Sequence, residues 1–204
     1  MKFKLFRIAI VFATLFLCLT TSAIAATDIY TVQKGDSLWK IAVKYQVGLS
    51  EIIAANPQFE NPNLIYPGQK VSIPLPDQQI SNYEQQVIDL VNQIRRENGL
   101  NPLQTDWELS RVARYKSQDM HDNRYFSHII PVYGSPFDMM KAFGLTYRTA
   151  GENIARGQKS PQAVVDAWMN SAGHRANILN SSYTTIGVGY VSDGNYWTQM
   201  FIGK

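Results

Sequence analysis

The sequence is nearly without cysteine: Cys18 is the only one in 204 residues, and it sits inside an apolar stretch near the N-terminus. A disulfide framework and a thiol nucleophile are therefore excluded from everything that follows that stretch. Histidine is almost as scarce, with only His121, His128 and His174. No two of them have the H-E-x-x-H spacing that places paired imidazoles on one helical face, and neither a G-x-S-x-G elbow nor a phosphate-binding loop occurs. Serines abound, but none is marked out beside a histidine and an acid, so a triad hydrolase is unsupported.

Acidic residues are missing from the first 25 positions, where Lys2, Lys4 and Arg7 precede an apolar run over 8–19 and then Ala23-Ile24-Ala25. Basic, apolar and small-x-small regions in that order predict a secretory signal peptide over residues 1–25. Thr20, Thr21 and Ser22 cut the apolar run short of the ~20 residues a membrane span needs, so no stable span is expected after cleavage. Leu17 stands where a lipoprotein signal wants a small residue, which argues against Cys18 as a lipid anchor. Cleavage takes three of the 19 basic residues and no acid, leaving 16 of each sign. The whole-chain pI of 8.9 is then no argument for nucleic-acid or membrane-surface binding, and no nucleic acid is expected as a partner. An exported chain without disulfides must be held by ordinary apolar cores.

The segment IPLPDQQISNYE divides what remains, with a linker expected at 76–81. Before it, residues 28–75 read as a strand over IYTV, helices over 37–45 and 50–55, and a closing strand over KVSIP. Asp36 or Ser37 can cap the first helix, Ser50 starts the second, and Trp39 and Ile41 are expected in the core. After it, residues 82–204 read as helices interspersed with terminal strands. Ser81 with Glu84, and Thr105 with Glu108, form capping boxes at two helix starts. Ser135-Pro136 and Ser160-Pro161 each set a capping serine before a first-turn proline. IGVGYV and YWTQMF are joined by SDGN, where Asp193-Gly194 favours a type I′ hairpin turn. The class is α/β, with an α-β-α layered second domain.

Two resemblances become specific at this point. YTVQKGDSLWKIAVKY followed by NPQFENPNLIYPGQKVSIP resembles a LysM repeat over nearly its whole length. That resemblance implies a βααβ fold and binding of N-acetylglucosamine polymers such as peptidoglycan or chitin. By the family pattern, Gly35, Asp36, Ser37 and Leu38 form the first carbohydrate-binding loop and Asn63, Leu64, Ile65 and Tyr66 the second. FSHIIPVYGSPFDMMKAFGLTYRTAGENIARG, then AWMNSAGHRANILN and IGVGY, resembles bacterial members of the CAP superfamily. There an α-β-α sandwich gathers two histidines and two acids in one cleft. His128 matches the first histidine, Glu152 the acid of the Gly-Glu-Asn motif and His174 the second histidine. The fourth position departs from the animal and plant pattern: three residues after Trp168 stands Ser171, not glutamate. Asp166 lies two residues on the other side of that tryptophan and cannot be assumed to substitute.

Two imidazoles can hold a divalent metal such as zinc, with Glu152 as ligand or as the acceptor behind one of them. The same set can serve as a metal-free acid/base or ligand-binding cluster, or as a polar network that supports the cleft. Asn153 is expected to bind backbone groups around the motif. His121 reads as a helix-end or surface histidine. Val164, Val165 and Trp168 read as helix core, Tyr190, Tyr196 and Trp197 as strand packing, and Gly173 as the C′ glycine that ends the helix before His174. The resemblances imply a secreted protein of the cell wall or spore surface. A wall-active peptidase or glycan hydrolase is one alternative, and a non-catalytic structural or lipid-binding module is another.

Overall fold

The computed structural model describes residues 27–204, so the expected signal peptide, with Cys18, lies outside the described residues. Strand β1 (Thr27–Thr31) pairs antiparallel with β2 (Lys70–Pro74), Tyr30 opposite Val71. Helices α1 (Leu38–Tyr45) and α2 (Leu49–Ala54) lie between them in sequence, giving βααβ. Leu38, Ile41, Ile52, Val71 and Ile73 form its core. Ser37 caps α1, its Oγ accepting from Lys40 N at 3.2 Å. Asp36 does something else: its Oδ2 accepts from Gln33 N at 2.7 Å and from the Tyr30 hydroxyl at 2.8 Å. The second helix starts after Gly48 rather than at Ser50, whose hydroxyl donates to Glu51. Trp39 is 61% exposed, not core, because Leu38, Ile41 and Ala42 take the inward stripe of α1 and leave positions 39 and 43 outside it.

The second module opens with α3 (Gln78–Glu97), three residues ahead of the expected Ser81 start. Asp77 caps it, accepting from Gln79 N and Ile80 N, and Glu84 is buried on Arg114 instead of closing a capping box. Thr105 likewise is not a cap. It belongs to the short strand β3 (Gln104–Thr105), and Asp106 caps α4 (Trp107–Asp122) by accepting from Leu109 N at 3.0 Å. In both cases a nearby aspartate takes the cap from the hydroxyl residue. Ser135 and Ser160 do cap their helices, α5 (Pro136–Ala142) and α6 (Pro161–Met169), each with proline in the first turn.

Strands β4 (Thr149–Arg156), β5 (Thr185–Val191) and β6 (Tyr196–Gly203) complete a sheet of order β3-β5-β6-β4, with α7 (Ala172–Ile178) between β4 and β5 in the chain. The β5–β6 hairpin has a four-residue loop. Positive φ falls at Gly194 and Asn195, not at Asp193, so the expected type I′ turn on Asp193-Gly194 is absent. One sheet face packs Ile186, Val188 and Trp197 on Val87, Val91, Val164, Val165 and Trp168 of α3 and α6. The other packs Met200 and Ile202 on Leu109, Val112, Met139 and Met140 of α4 and α5. The layers are α-β-α.

Gly187 and Gly189 let α4 lie directly on β5. A Cβ on Gly187 would stand 2.4 Å from Leu109 backbone carbon, and one on Gly189 would stand 2.1 Å from Arg114 N. The two modules meet at an ion pair, Arg111 Nε to Glu51 Oε1 at 2.9 Å.

Candidate functional site

Three elements meet at the free edge of the sheet. His128 comes from the loop after α4, Glu152 from the edge strand β4, and His174 from the first turn of α7. The Gly-Glu-Asn motif is strand, not loop, and its period of two decides the arrangement. Glu152 is opposite Met200 and Asn153 opposite Gln199, so successive side chains go to opposite sheet faces. Glu152 is thereby committed to the α4 side, and Asn153 to the α7 side.

On the α4 side, His128 Nδ1 and Glu152 Oε1 are 2.6 Å apart. The Glu152 side chain is 1% exposed while that of His128 is 50% exposed, so a buried carboxylate holds a ring that is open to solvent. With Nδ1–H donated to the carboxylate, the lone pair of the neutral ring is on Nε2. Glu152 Oε2 is buried and has no hydrogen-bond partner among the described residues.

On the α7 side, Asn153 is fully buried, and its Nδ2 donates to His174 O at 3.1 Å and Gln199 Oε1 at 3.0 Å. Asn177 Nδ2 donates to Asn153 Oδ1 at 2.8 Å and Glu152 O at 3.1 Å. The edge strand is thus stitched to α7 through side-chain amides. His174 has its pKa lowered, first by burial and then by repulsion from His128, so its neutral form is favoured.

Ser171 is the N-cap of α7, but its hydroxyl makes no cap bond. Gly173 is not a C′ residue: α6 ends at Met169 with Asn170 as its cap, and Gly173 lies inside the next helix. The helix therefore ends two residues earlier than expected, and His174 lies in the first turn of the next helix rather than following one. His121 lies in the last turn of α4, on Asp122 (2.6 Å) and Asp193 (3.1 Å), away from the site as expected. Two participants carry no mark in a sequence. Asn177 stands three residues after His174, a spacing that shares a helix face and is the one local signal for it. Lys116 sits among apolar positions of α4, and periodicity alone assigns such a residue no role.

Among the described residues, no three His, Cys, Asp or Glu side chains are grouped as metal ligands. A divalent ion would find two imidazoles, those of His128 and His174, with Glu152 fixing one of them from behind. That is a carboxylate–histidine arrangement with a small protein ligand set.

In the LysM-like module, Gly35 has φ +89°, a value that favours glycine, and its carbonyl accepts from Lys40 Nζ at 2.7 Å. Leu38 belongs to the core, so only its backbone is available to a ligand there. Asn63, Leu64 and Tyr66 are exposed, and Ile65 packs partly against the core. Gly68 N donates to Val32 O at 2.9 Å, which ties the end of the second loop to the residue that follows β1.

The model for the CAP (cysteine-rich secretory protein) family matches residues 88–202, and the LysM domain model matches 30–74. The chain is 63% identical over 125 residues to the uncharacterized protein YkwD of Bacillus subtilis, covering 61% of this chain and 49% of that one. It is 56% identical over 46 residues to SpoIVD-associated factor A of B. subtilis, covering 22% and 12%. A solved structure of an extracellular protein with an SCP domain from Bacillus anthracis superposes with a TM-score of 0.60 at 37% identity, covering 67% of this chain and 47% of that one. The chain therefore spans about half the length of YkwD and of that structure.

Proposed function

This chain belongs to the CAP (cysteine-rich secretory protein) family and carries a LysM domain ahead of the CAP domain; from that premise we propose that it is an exported, wall-associated protein whose LysM module grips an N-acetylglucosamine polymer while its CAP edge site holds a metal or small ligand. Peptidoglycan is the expected polymer, and the cell wall or spore surface the expected place. Leu64 and Tyr66 support the first half, as exposed apolar groups on a loop whose neighbours can offer backbone amides to acetamido groups. Attachment through sugar also suits a mature chain of no net charge, which has little to gain from electrostatic adsorption. Holding both domains on one chain raises the local concentration of the second at the polymer without further contacts.

The observation that carries the second half is the His128–Glu152 bond, because it leaves Nε2 of a half-open ring free at the sheet edge to which α7 brings His174. His128 and His174 would bind a zinc-like ion, with Glu152 orienting His128, and such an ion supplies Lewis acidity when bound. Without metal, the same pair is built to take or give one proton to a bound ligand.

A hydrolytic reading draws support from His174, whose burial favours the neutral imidazole a general base requires. A glycosidase of the paired-carboxylate type is disfavoured, since Glu152 is the one acid of the site.

The test is to incubate mature protein and the His128→Ala/His174→Ala double variant with purified peptidoglycan, measure soluble fragments, and measure metal content of both proteins. Metal in the wild type alone, with no fragments from either, supports a binding site. Fragments from the wild type alone make it a hydrolase, and equal behaviour of both proteins in every readout removes the site.

A further inference from the structure

We propose that Lys116 is the positioning residue of the His128–Glu152 pair, a buried ammonium that clamps the Ser127–His128 backbone against the sheet edge. The inference rests on the reading of that pair as the functional site, although its test requires no ligand.

Lys116 is fully buried on α4, among inward positions that otherwise hold Leu109, Val112, Ala113, Ser117 and Met120. A lysine there loses its water, which is costly unless its protons are bound elsewhere. Its Nζ donates to Ser127 O at 2.5 Å and to His128 O at 3.1 Å, and stands 5.2 Å from the Tyr125 ring centroid. Those hydrogen bonds go to main-chain carbonyls rather than to a carboxylate. Burial holds the Lys116 pKa below its ordinary value, while the charges of Glu152 and Asp119 pull the other way and favour the ammonium. One cation is therefore bonded to the backbone that carries His128 and lies in the field of the carboxylate that receives its proton.

The loop needs such a clamp. Ile130 anchors the far side of the loop in the core, but Phe126 and Ile129, which bracket Ser127 and His128, are 47% and 59% exposed, so apolar burial does not fix the two residues themselves. Two carbonyls held from below set the peptide planes on both sides of His128, and with them the direction of its Cα–Cβ bond. The ring then reaches Glu152 without being enclosed. If volume alone mattered, an apolar side chain would fill the position at lower cost.

The experiment is nuclear magnetic resonance on the full mature chain with uniform 15N and 13C labelling. A proton shared with a carboxylate across 2.6 Å gives a far-downfield, slowly exchanging Nδ1–H signal. Lys116→Met is expected to lose that signal while the His121 ring signals stay in place, and Lys116→Arg is expected to recover it. A folded Lys116→Met protein with the downfield signal unchanged overturns the proposal. If Lys116→Met does not fold, the wild-type spectrum decides: a slowly exchanging Nζ ammonium correlated with the Ser127 and His128 carbonyls is expected, and its absence overturns the proposal. Glu152→Gln separates the two levels. It should abolish the downfield signal whatever Lys116 does, and persistence of the signal would remove the underlying pair instead.

Discussion

Glu152 and Asn153 are neighbours on β4 yet serve opposite faces of the sheet: Glu152 takes the His128 ring at 2.6 Å on one side, and Asn153 takes the His174 carbonyl at 3.1 Å on the other. An edge strand is open enough for groups from both layers to meet around it, while its two side-chain directions keep the roles separate. The histidines are thereby fixed in different ways, one through its ring and one through its main chain.

Asn153→Ala should cost on the order of 3 kcal/mol, because it strips partners from the buried Gln199 amide and from the His174 carbonyl in one step. Urea unfolding at neutral pH checks this. A loss smaller than about 0.5 kcal/mol, the range of ordinary surface changes, would mean that the amide network does not hold α7 to the strand.

His174 and His121 should pull stability in opposite directions with pH. His174 has a lowered pKa, so below about 6.5 the unfolded chain binds a proton that the folded chain resists, and stability is lost as pH falls. His121 has a raised pKa through hydrogen bonds to Asp122 and then Asp193. Its contribution is fully present below about 6.5 and is lost as pH rises through the folded value. Unfolding midpoints from pH 5 to 8 should therefore show that His174→Gln helps most at acid pH and His121→Gln hurts most there. Parallel pH profiles for the two variants would contradict these environments.

Arg114→Ala should destabilise the protein by about 3–5 kcal/mol at pH 7, since it leaves Glu84 as a buried carboxylate without its cation. Burial already pushes the Glu84 carboxyl up, against the opposing pull of Arg114. Without the arginine the folded state holds the Glu84 proton more tightly still. The variant's deficit should then be smallest below pH ~4.5 and grow as pH rises through the folded value. A deficit independent of pH would place the cost in lost packing rather than in the stranded charge.

Gly189→Ala should be among the most damaging single-methyl additions in the CAP domain. The new carbon would press on α4 main chain, which cannot rotate away as a side chain can. Gly99→Ala, where nothing lies within 4 Å, has only a positive φ to resist it and should cost about 1 kcal/mol. Comparable thermal midpoints for the two variants would refute the close approach of α4 to β5.

Much of this was legible in the residues. Ser135-Pro136 and Ser160-Pro161 started helices because cap and proline agree, and Trp168 went to the core on periodicity. His128, Glu152 and His174 were singled out by family resemblance, and neither periodicity nor spacing could have paired them. What failed did so for local reasons. Asp77 and Asp106 displaced Ser81 and Thr105 as caps, which a capping-box pattern does not weigh. Gly173 looked like a helix end because glycine often is one, but Asn170 and Ser171 make the break. Trp39 misled through size, since a large apolar residue on a small module need not face inward. Lys116 was invisible because its role depends on two carbonyls that follow it by 11 and 12 residues, a relation created only by the fold.

The most direct test of the account is co-sedimentation of the mature chain with purified, insoluble peptidoglycan, run beside a chain lacking residues 28–75. That deletion keeps both apolar clusters that pack against the larger sheet, so the CAP domain retains its own core. The expected result is that the full chain pellets with the polymer at any ionic strength and the shortened chain stays in solution. A shortened chain that still pellets as completely as the full one would contradict the assignment of polymer binding to the LysM module.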